Sequence, residues 1–156
     1  FENLRSLKKL DLSCNKITTL PENPFRDLHN LESLNLRNNS MFFIFPSYFT
    51  GLDNLKNLNL EENSINHIGS SVFEAMHTLN HLNLATNKIE DLTSYAFQNL
   101  SKLSVLNLEN NNIQMFRKEL LKPLKSLQTL ILNKNGISEI HSDMFEHDLV
   151  ITELKV

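Results

Sequence analysis

The sequence predicts an α/β-type repeat solenoid: parallel strands line a concave face, and mostly irregular or turn segments form the convex side. Three observations predict it. One 24-residue pattern recurs without insertion along the 156-residue chain. The apolar columns of that pattern stay in register from copy to copy as far as Asp148. The composition is the one such a fold consumes, with 29 Leu and 22 Asn but only 3 Gly. Internal periodicity of this length marks repeat architectures, in which each unit borrows its core from its neighbours.

The strand element comes first. The pattern apolar-x-x-apolar-x-apolar-x-x-Asn appears as Leu7-Leu10-Leu12-Asn15, Leu31-Leu34-Leu36-Asn39 and Leu55-Leu58-Leu60-Asn63. It continues as Leu79-Leu82-Leu84-Asn87, Leu103-Leu106-Leu108-Asn111 and Leu127-Leu130-Leu132-Asn135, and a seventh copy begins at Ile151-Leu154-Val156. Strands are expected to start near residues 7, 31, 55, 79, 103, 127 and 151. Alternation turns their Leu side chains inward, and seven strands stacked at about 4.8 Å span roughly 29 Å. The Asn column (Asn15, Asn39, Asn63, Asn87, Asn111 and Asn135) is expected to point inward as well. A buried amide needs partners, and the backbone turns of its own and adjacent coils can supply them.

The convex element follows. Ile17, Met41, Ile65, Ile89, Ile113 and Ile137 share one apolar column, and Leu20, Ile44, Ile68, Leu92, Phe116 and Ile140 the next. Phe1, Phe25, Phe49, Phe73, Phe97, Leu121 and Phe145 form a spine. Leu4, Leu28, Leu52, Met76, Leu100 and Leu124 close the unit. Asp148 breaks that last column, and Glu146-His147-Asp148 reads as polar turn material. The expected organisation is a single domain over 1–156, about six and a half repeats, cut from a longer protein and lacking caps for its two sheet edges.

In these motifs the chain resembles the leucine-rich repeat family over essentially its whole length. The 24-residue unit with its Phe column is similar to the extracellular class found in Toll-like receptors, Slit-type guidance proteins and small matrix proteoglycans. The resemblance implies a leucine-rich repeat horseshoe. It also implies a non-catalytic recognition module of an extracellular or cell-surface receptor, a glycoprotein of innate immunity or cell adhesion. Its partner would be a protein or glycan on the concave or a lateral face, with homo- or hetero-dimerisation. Two alternatives stay open: a matrix module that organises other proteins, and an intracellular scaffold, which the single Cys permits.

Function in such a fold sits on exposed positions. One outward column of the sheet is Lys9, Ser33, Asn57, His81, Val105, Thr129 and Glu153. The other is Asp11, Asn35, Asn59, Asn83, Asn107, Ile131 and Lys155. The second, mostly amide, offers donors and acceptors without net charge. Val105 with Ile131, beside Asn107 and Thr129, is the apolar spot, so the candidate ligand face is His81, Asn83, Val105, Asn107, Thr129 and Ile131. A second candidate is lateral. Phe42, Phe43 and Phe45 occupy columns that are otherwise largely polar, and they either fold back over the neighbouring coil or form an interface.

Other chemistry finds little support. Net charge is −3, so no global basic field draws the chain to nucleic acid or anionic lipid, and a nucleic-acid partner is not expected. No apolar run is long enough to span a membrane. One Cys, Cys14, excludes an internal disulfide, and it reads as an incidental thiol or one with a partner outside the chain. His77 and His81 are four apart, a metal-ligand spacing only on a helix. The carboxylates Asp11, Glu32, Glu61, Glu62 and Glu109 form no dyad. No catalytic residue, metal site or cofactor is expected. Asn38-Asn39-Ser40 and Asn99-Leu100-Ser101 match the N-glycosylation acceptor pattern.

Overall fold

The computed structural model describes residues 1–145 and 149–156; Glu146, His147 and Asp148, expected as turn material, lie outside them. Seven three-residue strands form one parallel sheet in sequence order: Lys9–Asp11, Ser33–Asn35, Asn57–Asn59, His81–Asn83, Val105–Asn107, Thr129–Ile131 and Glu153–Lys155. Their register is constant, Leu34 opposite Leu58 and Leu58 opposite Leu82. Strands therefore begin two residues later than the repeat pattern does. The first Leu of each copy enters the core ahead of the ladder, while its neighbours already bond across coils, as in Glu32 N–H to Lys8 O at 2.8 Å.

Three residues past each of the first six strands the chain turns through a left-handed residue. Cys14, Asn38, Glu62, Thr86, Asn110 and Lys134 all have φ between 53° and 58°. Asn tolerates this conformation; a β-branched residue such as Thr86 does so at a cost. The turn drives the next side chain, the ladder Asn, into the core. Asn39, Asn63, Asn87 and Asn111 are buried there. Each repeats one geometry. Asn63 Nδ2 donates to Leu36 O of the preceding coil at 3.0 Å and to Leu60 O of its own coil at 3.1 Å, and its Oδ1 accepts from Met41 N at 3.1 Å.

The convex side is held by the Phe column. Phe25, Phe49, Phe73 and Phe97 are fully buried. Successive rings lie 6.0 Å (Phe49–Phe73) and 6.3 Å (Phe73–Phe97) apart, within the range at which offset aromatic pairs attract. The convex side is more ordered than an irregular one. It carries 3₁₀ turns at Pro46–Phe49, Lys118–Leu120 and Ser142–Met144, and a two-stranded parallel sheet of His67–Ile68 with Asp91–Leu92. Coils approach closely there. At Gly51, φ is +88° and an added Cβ would stand 2.5 Å from Arg26 O. No helix among the described residues is long and apolar enough to cross a membrane.

Candidate recognition face

The outward side of the sheet cups a shallow concavity of about 420 Å³. Parallel pairing at constant register brings His81 beside Val105, and Asn83 beside Asn107 and then Ile131. Of the candidate ligand residues, His81, Asn83, Val105, Asn107 and Ile131 line the concavity, together with Ser33, Asn35, Asn57 and Asn59 from earlier coils. Thr129 stands outside it, with its hydroxyl 3.5 Å from Glu153 Oε2. His81 is exposed, and Val105 and Ile131 are half-buried.

The amide column is not the free row of donors and acceptors that alternation suggests. Each Oδ1 turns down the chain and accepts the backbone N–H two residues on. Arg37 N bonds Asn35, Glu61 N bonds Asn59, Ala85 N bonds Asn83 and Glu109 N bonds Asn107, at 3.0–3.1 Å. Asp11 does the same for Ser13 N at 2.9 Å, and the two hydrogen bonds from Ser13 hold its carboxyl below the ordinary range. These are Asx turns, the local alternative Asn and Asp offer a strand end. Asn83 is engaged at both ends, because its Nδ2 also donates to Glu61 Oε2 at 3.1 Å. The physical reason is proximity: the N–H two residues on lies within reach of so short a side chain. The less encumbered column is therefore the other one, Ser33, Asn57, His81 and Val105.

The rim beyond the strand ends carries charge that the repeat pattern does not single out. Arg37 pairs with Glu61 at 3.3 Å and with Glu62. Lys134 pairs with Glu109 at 2.8 Å, and Asn133 Nδ2 donates to the same carboxyl oxygen at 2.9 Å. These bonds, Lys134 first, hold the Glu109 carboxyl below its ordinary range. Their signal in the sequence is faint: opposite charges 24 or 25 residues apart, visible once the repeat length is known.

On the flank, Phe42, Phe43 and Phe45 are 49%, 53% and 49% exposed. Phe43 and Phe45 stack at 6.5 Å, and Phe45 meets the edge of buried Tyr48 at 5.4 Å. Phe43 and Phe45 thus pack on one side and face solvent on the other. Three coils further along the same flank, Met115 is exposed beside a second concavity of about 390 Å³ walled by Phe116, Arg117, Glu139 and His141. Asn38 is exposed at the strand-end turn, and Asn99 is half-buried on the convex side. His81 lies on a strand and lines the concavity, whereas His77 belongs to neither. Among the described residues no three His, Cys, Asp or Glu side chains converge in a metal-binding group.

The leucine rich repeat family model matches at residues 1–41, 30–89, 53–113, 77–137 and 101–148. No match among curated protein sequences accompanies it. Among solved structures, the TLR13–ssRNA13 complex superposes with a TM-score of 0.84 at 32% identity, covering 87% of this chain and 19% of that one. The glycosylated Toll–Spatzle complex of Drosophila, described as a hub in development and innate immunity, superposes with a TM-score of 0.85 at 28% identity, covering 92% of this chain and 21% of that one. The chain thus spans about a fifth of the length of either ectodomain. The expectation against a nucleic-acid partner finds no support in these likenesses. A protein of this fold is complexed with single-stranded RNA, and the net charge of a whole chain does not fix the field over one of its surfaces. With the repeat model matched across nearly the full length and the parallel sheet, Asn ladder and Phe spine in register, the chain belongs to the leucine-rich repeat family.

Proposed function

We propose that this chain is a non-catalytic recognition segment of a Toll-like receptor type ectodomain, facing the extracellular space or an endosomal lumen, and that it holds a protein ligand on its concave face. The observation that carries the reading is the superposition, over about nine-tenths of the chain, on the ectodomains of TLR13 and Toll, each in a ligand complex. Within the concave face, Val105 and Ile131 supply an apolar centre and His81 a flanking polar group, an arrangement suited to a hot spot within a polar rim. The amide column contributes shape and rigidity, since its oxygens are spent on the backbone. Absence of aromatics from the sheet face disfavours base stacking, so protein leads over nucleic acid.

The test compares two variants in the intact receptor. Val105→Asp puts a charge at the centre of the groove; Phe42→Ser with Phe43→Ser strips the flank. The proposal expects Val105→Asp to abolish ligand binding while the flank double variant retains it and both unfold like wild type in urea. Loss in the flank variant alone moves the site to the lateral face. A binding constant falling steeply with salt, one to several decades between 50 and 200 mM, identifies a nucleic acid instead.

A further inference from the structure

Cys14 is a solitary exposed thiol, an awkward group for a protein of an oxidising compartment, where exposed thiols cross-link or oxidise. In the next coil the amide of Asn38 meets it, with Nδ2 3.5 Å from the sulfur. The contact follows from the fold. Both residues occupy the left-handed turn, with φ of 56° and 53°, and side chains of this column reach toward the coil before. Asn110 Nδ2 likewise reaches Thr86 Oγ1 at 3.4 Å. Asn38 alone in that column also begins an acceptor sequon, Asn38-Asn39-Ser40; Asn110 is followed by Asn111 and Asn112. The backbone of Asn38 is fixed by its N–H bond to Glu61 O at 2.9 Å, while its side chain lies in solvent.

We infer that Asn38 carries an N-linked glycan whose first sugar stands over the Cys14 thiol and shields it. This rests on the ectodomain reading, since the modification belongs to the secretory pathway. In the transfer, Asn38 Nδ2 attacks the anomeric carbon of an N-acetylglucosamine held on a polyprenyl-diphosphate oligosaccharide donor. The N–C bond forms, the carbon–oxygen bond to the diphosphate breaks with its electron pair leaving on oxygen, and one amide proton is released. No atom changes oxidation state overall. The sugar is thereby attached at the atom that stands 3.5 Å from the sulfur. Asn99 is less suited to carry such a shield, because it is half-buried on the convex side, away from the strand-end column that holds Cys14.

The experiment uses the natively produced protein. Glycopeptides are mapped, and the reaction of Cys14 with a bulky maleimide is timed under native conditions before and after enzymatic glycan removal. Ser40→Ala serves as the sequon-free control, because it leaves Asn38 and Cys14 intact. The expected result is a glycan at Asn38, a labelling rate several-fold below that of Ser40→Ala, and a rise toward the control rate once the glycan is cut. A glycan at Asn99 with none at Asn38 overturns the inference and leaves the ectodomain reading standing. Equal labelling of glycosylated wild type and Ser40→Ala, or Cys14 recovered in a disulfide, overturns the shield. A protein bare at both asparagines overturns the inference and the ectodomain reading together.

Discussion

Replacing Asn63 by Ala removes one rung from the interior of the ladder, and the hydrogen bonds specify what is lost. The Met41 N–H loses its acceptor, Asn63 Oδ1, and is left buried and unpaired. The carbonyls fare better. Leu36 O keeps Asn39 Nδ2 at 3.0 Å, and Leu60 O keeps Asn87 Nδ2 at 2.9 Å. One orphaned N–H costs about 1–3 kcal/mol, and the two amide protons, shared among Leu36 O, Leu60 O and Glu61 O, forfeit about 0.5–1.5 kcal/mol each, so Asn63→Ala should destabilise by about 2–6 kcal/mol. Asn15→Ala is the internal control. Asn15 is exposed, its Nδ2 donates to Leu12 O and Ser13 O at 3.0 Å, and Leu12 O retains Asn39 Nδ2. Water replaces what is lost there, and the cost should stay under about 1 kcal/mol. The double variant Asn63→Ala with Asn87→Ala adds a sharper test. It strips Leu60 O of both its amide donors, so the pair should cost about 1 kcal/mol more than the sum of the singles. Urea unfolding followed by circular dichroism measures wild type, the singles Asn63→Ala, Asn87→Ala and Asn15→Ala, and the double variant. Equal losses for Asn63→Ala and Asn15→Ala, or strict additivity in the double variant, would refute the shared-carbonyl account of the ladder.

Three further predictions concern the turns and the charged rim. Gly51→Ala places a Cβ 2.5 Å from the Arg26 carbonyl oxygen at a φ of +88°, and the urea midpoint should fall by the equivalent of about 2 kcal/mol or more. Thr86→Asn relaxes a β-branched residue held at φ 54°, so the midpoint should rise by the equivalent of about 0.5–1 kcal/mol, whereas Asn110→Thr, the reverse change in the same column, should lower it. Stability should decline as the pH falls below the ordinary glutamate value of 4.5, because Lys56 and then Lys8 hold Glu32 lower than that, and Lys134 with Asn133 does the same for Glu109. A carboxylate with a depressed folded pKa contributes stability above its unfolded pKa and loses it as pH drops through the folded one. Glu32→Gln should flatten that decline in a urea series from pH 6 to pH 3, and 1 M salt should shrink it, since these pairs are exposed.

What the sequence makes legible is whatever repeats. Leu34, Leu58 and Leu82 announce the sheet and its register by recurring every 24 residues, and Phe49, Phe73 and Phe97 announce the spine in the same way. The exposed columns recur too, but periodicity reports only which face a residue occupies, not how its polar atoms are spent. Asn83 illustrates the gap. Alternation correctly turns it outward, yet Ala85 N and Glu61 Oε2 claim both ends of its amide. His81, two residues earlier in the same strand, stays exposed. The same logic separates Asn38 from its neighbour Asn39. One residue apart and chemically identical, they are divided by a single backbone conformation: φ of 53° at Asn38 leaves its side chain in solvent beside Cys14, and sends that of Asn39 into the ladder. Function in such a solenoid thus depends on departures from the repeat. A column that obeys the pattern is committed to holding the coils together. Val105 and Ile131 stand among polar equivalents on the sheet, as Phe42 and Phe43 do on the flank; all four can be substituted without loosening the fold, and loss of recognition should follow the sheet pair and not the flank pair.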